Sequence, residues 1–253
     1  MGIVLWYSPL PSSQFHSNFN DLVSSISTLI PNNKLNIQFN EFEHDEYSKK
    51  SSSSSNSNGN NNSSINSSRT FNRYGFNILP PHITLIKNIP DDVEIFNKII
   101  KIITTTLHTE EKNKKENEIL IKDIKFNNNN KFFENCILEV DKNSIYILLS
   151  LITIITDIVE GVPKQSNDPS VFNPHVSLSY SDCKFSTQLD KDMIIDRVNT
   201  YLKINLFQNK EPNSVDWFVR MNSVNSNKKS GRFYIVNCEG DIDKWSVLRS
   251  IDV

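Results

Sequence analysis

The chain has 253 residues, 37% hydrophobic and 22% charged, with a formal net charge of −2, which is length enough for one large domain or two lobes. A pI near 6.2 excludes the broad basic surface that long nucleic acid demands, and no run of about 18 apolar residues offers a membrane span. The three cysteines, Cys136, Cys183 and Cys238, have no C-x-x-C spacing, so they read as free thiols in a reducing compartment with no zinc framework. The first residues lack the basic and apolar regions of a secretory signal, so a cytoplasmic protein with nuclear access is the expectation.

In chain order, residues 2–8 predict a strand that Pro9 and Pro11 end. Residues 13–30 predict a helix, with Phe15, Phe19, Leu22, Val23 and Ile26 at helical spacing and Pro31 beyond it. Residues 48–68 form a Ser/Asn tract with almost no apolar residue. Such a tract buries too little surface to offset the entropy of ordering, and it reads as a disordered insertion. A strand is expected at 82–87 and a helix at 91–107, with Phe96, Ile99, Ile100 and Ile103 on one face. Residues 110–118 are a charge run expected in a solvated loop. Strands at 118–126 and 131–140 form a predicted pair joined by Asn127–Asn130. Residues 143–159 are long and apolar enough for a packed helix, against a high β-branched content. A polar, Pro-containing loop at 162–172 leads to a strand at 174. Residues 190–202 read as a helix with Met193, Ile194, Ile195 and Val198 toward the core. Strands at 216–223 and 232–238 read as a hairpin across Lys228–Gly231, and residues 245–251 as a last strand or short helix. Strand pairs mixed with helices, without strict β-α-β alternation, predict an α+β fold with antiparallel sheets.

The strands at 82 and 174 carry the same five-residue pattern. Pro81-His82-Ile83-Thr84-Leu85 and Pro174-His175-Val176-Ser177-Leu178 place their histidines 175 − 82 = 93 residues apart. Alternation along a strand puts His82 with Thr84, and His175 with Ser177, on one face each, while the aliphatic residues point to the core. Two such faces across a groove hold two imidazoles and two hydroxyls around a small anion. One imidazole can act as base and the other as acid, near pH ~6.5 when unperturbed. The hydroxyls can donate to phosphate oxygens. One H-x-[TS] tripeptide is common; the repeat is what makes the pattern informative. Of the other histidines, His16 and His108 sit on predicted helices and read as structural, His108 complementing a helix C-terminus. His44 lies in an acidic loop without metal-ligand spacing. Lys228, Lys229 and Arg232 read as exposed turn cations. No phosphate-cradling glycine motif is present, and the chain has only six glycines.

With these two motifs the chain resembles the two-histidine phosphoesterase superfamily, and within it the cyclic phosphodiesterases of fungi and plants. Gly2-Ile3-Val4-Leu5-Trp6-Tyr7-Ser8-Pro9 is similar to their first strand. The second motif continues as Ser179-Tyr180-Ser181-Asp182, also similar, including the Tyr. Val236-Asn237-Cys238-Glu239-Gly240-Asp241 and Trp245-Ser246-Val247-Leu248 resemble the fungal C-terminus. The likeness fails over the inserted segments, and the long approach to Leu79-Pro80-Pro81 departs from the family pattern.

The resemblance implies a single bilobal domain over 1–253, interrupted by the insertion at 48–68. Its two antiparallel sheets would flank a central groove under pseudo-twofold symmetry, each lobe giving one motif strand. It implies hydrolysis of nucleoside 2′,3′-cyclic phosphates to 2′-phosphates without metal or cofactor, extending to ADP-ribose 1″,2″-cyclic phosphate, a tRNA-splicing by-product. His82 and His175 would be catalytic, His82 protonating the leaving O3′ and His175 activating water; the symmetry of the motifs leaves these roles interchangeable on paper. Thr84 and Ser177 would hold phosphate oxygens. Tyr180 would stack a base, although, five residues after His175, it points to the opposite face unless the strand bends. Trp6 is placed between core residue and substrate platform. A monomer acting on a small nucleotide is expected, with no stable long nucleic acid and no membrane. A 3′–5′ RNA-end trimming exonuclease of the same superfamily and a non-catalytic nucleotide-binding module are the alternatives.

Overall fold

The structure, a computed structural model, describes residues 2–29, 79–109, 116–127, 134–164, 167–181, 185, 187–206, 211–220 and 229–253. The tract at 48–68 and His44 lie outside the described residues. The strands are β1 (Ile3–Pro9), β2 (Ile83–Ile89), β3 (Glu116–Phe126), β4 (Cys136–Val140), β5 (His175–Ser179), β6 (Asn213–Arg220), β7 (Gly231–Asn237) and β8 (Ser246–Asp252). The helices are α1 (Gln14–Ile26), α2 (Val93–Thr109), α3 (Tyr146–Ile158) and α4 (Gln188–Leu202).

Local chemistry sets the ends of these helices. The Ser13 hydroxyl caps α1 by accepting from the His16 N–H at 3.2 Å, and Asp92 caps α2 by accepting from the Glu94 N–H at 2.7 Å. Thr187 caps α4, which ends on Lys203 in the left-handed region at φ 56°. α1 buries Phe15, Phe19, Leu22, Val23 and Ile26, as its spacing predicts. In α4, Ile194, Ile195 and Val198 are buried, but Met193 is 38% exposed. With a helical period of 3.6 residues, a side chain one step before Ile194 is carried off the narrow buried stripe. β3 begins at Glu116, so the end of the charge run is strand rather than loop.

Two four-stranded antiparallel sheets result, ordered β2-β1-β7-β8 and β5-β4-β3-β6. Each motif strand is an edge strand of its own sheet, and the two edges approach each other. Among the described residues, each follows its sheet neighbour with one α-helix between them, as β1-α1-β2 and β4-α3-β5. The same unit thus occurs once per lobe, which is the pseudo-twofold relation. The helices pair across it, α1 against α4 and α2 against α3.

β3 and β4 pair as predicted, with Asn127 N–H donating to the Asn135 carbonyl at 2.8 Å. The predicted hairpin of the last third does not form: β6 pairs with β3, whereas β7 pairs with β1 and β8 in the other sheet. The two strands have different burial. β6 alternates, with Val215, Trp217 and Val219 buried between exposed Ser214 and Asp216, as suits a sheet edge. β7 is buried continuously from Phe233 to Val236, so both its faces are covered, and it lies inside its sheet between β1 and β8. The last element is a strand, β8, after a 3-10 turn at Ile242–Lys244.

Tyr7 ties the sheets together. It belongs to β1, and its hydroxyl donates to the Phe218 carbonyl of β6 at 2.5 Å, with its ring stacked on Trp217. Gly231 faces Pro9 in the ladder, and a Cβ there would come within 2.3 Å of the Tyr7 hydroxyl. Only glycine leaves room for that ring to cross.

Candidate active site

Both motifs hold their imidazoles by the same device. The His82 Nδ1 lies 2.8 Å from the Pro80 carbonyl, and the His175 Nδ1 lies 3.0 Å from the Asn173 carbonyl. A carbonyl only accepts, so Nδ1–H donates in each ring. In the neutral ring the lone pair is then at Nε2. Each contact reaches back two residues, over the proline that opens the motif and keeps the chain before it extended.

Around these bonds the two rings differ. His82 is 6% exposed and lies against Trp6, with ring centroids 3.7 Å apart and planes at 17°. Trp6 reaches it because β1 and β2 pair with Trp6 opposite Thr84. Trp245 packs beside them, 6.0 Å from Trp6 and edge-on to Tyr180 at 6.0 Å. The Tyr180 hydroxyl stands 3.3 Å from His82 Nε2. Since Nε2 accepts, the phenol donates. The Ser177 hydroxyl hydrogen-bonds the Tyr180 hydroxyl in turn. A line of hydrogen bonds therefore runs from the hydroxyl of the second motif to the imidazole of the first.

Burial is the main cause that depresses the His82 pKa to about 4; the Pro80 bond raises it, and the nearby His175 lowers it further. His82 is neutral at pH 7. The edges of the two sheets that carry the motifs approach each other, β2 beside β5. Burial pushes the Tyr180 hydroxyl well above its usual range, so it stays a donor.

His175 is half-exposed and opens β5 opposite Glu139 of β4. Directly opposed residues of an antiparallel pair share a face, so Glu139 lies beside His175, and Lys125 of β3 is ion-paired with it at 2.7 Å. Ser177 is buried opposite Ile137.

Of the six residues singled out from the sequence, His82, Trp6, Tyr180 and Ser177 form one contiguous set. His175 is half-exposed at the start of β5, and Thr84 is half-buried in β2, two residues from His82. Tyr180 follows the last residue of β5, so it is free of strand alternation and turns toward His82. Trp6 is 1% exposed, with its face taken by the His82 ring. It backs the histidine rather than offering an open platform.

Sequence reasoning missed Trp245 and Glu139. A lone carboxylate in the apolar run Cys136-Ile137-Leu138-Glu139-Val140 was the available signal for the latter. His16 is buried on α1, as a structural histidine should be, with Nδ1 3.2 Å from the Asn20 amide and its pKa depressed by burial to about 4. Lys229 and Arg232 pair with Asp252. Cys136 and Cys238 are free, buried thiols. Among the described residues, no group of three or more His, Cys, Asp or Glu side chains is placed to hold a metal ion, and no helix is long and apolar enough to cross a membrane.

Two histidines from matching strands of two antiparallel sheets define a two-histidine phosphoesterase architecture. A family model for cyclic phosphodiesterase-like proteins matches residues 1–253, and the chain belongs to that family. It is 22% identical over 258 residues to a 2′,3′-cyclic-nucleotide 3′-phosphodiesterase of Kluyveromyces lactis, across 100% of this chain and 99% of that protein. It is 23% identical over 287 residues to the Saccharomyces cerevisiae protein of the same name, across 100% of both.

Proposed function

We propose that the protein hydrolyses nucleoside 2′,3′-cyclic phosphates to nucleoside 2′-phosphates, with His82 and His175 as its acid–base pair. The observation that carries this reading is the Ser177–Tyr180–His82 line, which joins the two motifs across the groove. Family membership and the names of the two yeast relatives support the same reaction.

A cyclic phosphate is a strained diester with one negative charge. Docked between the motifs, it offsets the burial that keeps His82 neutral, because an opposite charge favours the imidazolium. One imidazole takes a proton from water as the water oxygen bonds to phosphorus. The P–O3′ bond breaks in line, and the other imidazole gives its proton to O3′. The 2′-phosphate leaves, and exchange with solvent restores both rings. Thr84 and Ser177 donate to the non-bridging oxygens, where charge builds in the transition state. The imidazole pair supplies both proton transfers, so the reaction proceeds without a metal. Once an anion takes the place of Tyr180 at Nε2, His82 protonates O3′ and the more open His175 activates water.

The same reading extends to ADP-ribose 1″,2″-cyclic phosphate, which presents the same strained ring, and so to by-products of tRNA splicing. The net charge of −2 supports small nucleotides over long nucleic acid. The free thiols support a cytoplasmic enzyme, acting as a monomer. Turnover of 2′,3′-cyclic AMP and ADP-ribose 1″,2″-cyclic phosphate in excess EDTA, with 2′- and 3′-phosphate products resolved, tests it. The expected result is 2′-phosphate formation (1″-phosphate from the ADP-ribose substrate) at an undiminished rate. Loss of turnover in EDTA, or a 3′-phosphate product, overturns the mechanism.

A further inference from the structure

We propose that Asn167 is a positioning residue that sets the spacing of the two motifs by standing in for a strand partner on β2. The claim of a catalytic consequence rests on the reaction proposed above.

β2 is an edge strand with a bulge. Ile3 pairs with Ile89 and Leu5 with Ile86, so Val4 of β1 faces both Lys87 and Asn88 of β2. Asn88 adopts φ 58°, in the left-handed region. Bulges of this kind re-aim the backbone, and here the Lys87 peptide groups meet Asn167. The Lys87 N–H donates to Asn167 Oδ1 at 2.8 Å, and Asn167 Nδ2 donates to the Lys87 carbonyl at 3.1 Å. Two bonds exchanged with one residue are what a neighbouring strand would make. The amide is itself held: Nδ2 also donates to the Pro163 carbonyl at 2.8 Å, and the Asn167 N–H donates to the Lys164 carbonyl at 3.1 Å. Asn167 is 4% exposed.

The position of Asn167 gives this clamp its consequence. It lies on the segment between α3 and β5, which ends in Asn173, Pro174 and His175. Lys142, just after β4, donates to the Ser170 carbonyl of that segment at 2.9 Å, and the Val140 N–H donates to the Pro174 carbonyl at 3.0 Å. The segment is thus anchored to the second sheet at 170 and 174 and to the first at 167. Asn173 supplies the carbonyl that fixes the His175 tautomer. The clamp therefore joins the strand carrying His82 to the approach that presents His175. A displacement of about 1 Å between reacting groups costs ~10²-fold in rate.

The test compares wild type, Asn167→Ala and Asn167→Asp in the full chain. Asn167→Asp keeps the acceptor for the Lys87 N–H and loses both Nδ2 bonds. We expect kcat to fall about 30–100-fold in Asn167→Ala with KM changed less than threefold, and Asn167→Asp, which sets a carboxylate oxygen against the Lys87 and Pro163 carbonyls, to fall at least as far. A kcat within threefold of wild type in folded Asn167→Ala, or a loss that disappears on cooling below the melting transition, overturns the proposal. Hydrogen exchange at the Lys87 amide reads the clamp without activity. Protection in the wild type, lost in Asn167→Ala, supports it; fast exchange in the wild type overturns it, including where the alanine variant does not fold. Wild-type inactivity on every cyclic phosphate sinks the proposed reaction instead, and the exchange result then decides the clamp alone.

Discussion

His82 and His175 occupy the same place in two copies of one strand-helix-strand unit, and both donate Nδ1–H to a carbonyl two residues back. Beyond that bond the two sides part. The first ring is sealed between Trp6 and the Tyr180 hydroxyl and is neutral at pH 7. The second is half-exposed beside the Glu139–Lys125 pair. One reaction needs an acid and a base together, and two rings in identical surroundings would titrate together. The repeated backbone unit supplies equal geometry, and the side chains around it supply unequal solvation.

The largest test of this asymmetry removes each ring in turn. His82→Ala and His175→Ala should each lower kcat by about 10²–10⁴, but only His82→Ala should also lower the melting temperature, because only that ring is packed. Rates unchanged in both variants mean the groove is not the active site.

Stability against pH comes next. His82 and His16 have pKa values of about 4 in the folded protein, below the ordinary 6.5. Between those values the unfolded chain binds more protons, so stability falls as pH is lowered from about 6.5 through 4. The loss approaches about 3 kcal/mol per ring below that window. Thermal melts at pH 7 and pH 4.5 should differ by several degrees, and His82→Gln should shrink the difference; equal melts would mean the rings are not sealed.

Thr84→Ala and Ser177→Ala should cost on the order of 2–3 kcal/mol or less in kcat. Ser177→Ala should cost more, since Ser177 also holds Tyr180; equal losses would mean the hydrogen-bonded line does not matter. Tyr180→Phe should change kcat by only about tenfold. It removes a donor that favours neutral His82, so the acidic limb of kcat/KM, expected near pH 4, should move to higher pH. A limb that stays in place breaks the assignment of the sealed ring. The smallest effect should come from deleting residues 48–68, which we propose interrupt a single catalytic domain without serving it: kcat/KM should stay within twofold. A folded deletion variant without turnover would give that tract a role.

Much of the candidate site is legible in the sequence. The repeated Pro-His-aliphatic-hydroxyl-Leu pattern identifies both imidazoles and both hydroxyls, because period-2 alternation is a local property of any strand. The helices were legible too, through apolar spacing. Partner choice between strands was not: β6 and β7 are neighbours in sequence yet belong to different sheets, because burial on one side or two selects a partner over the whole chain.

From sequence alone, then, one can say which histidines and hydroxyls the two motifs offer for the proposed proton chemistry and which face of each strand they share. Only the tertiary structure decided that Tyr180 turns past the end of β5 to meet His82, that Trp6 backs that ring, and that Asn167 grips Lys87. Those contacts span 98, 76 and 80 residues (180 − 82, 82 − 6 and 167 − 87). No local pattern encodes them. The solvation of an imidazole, and with it its pKa, depends on whatever the rest of the chain packs against it.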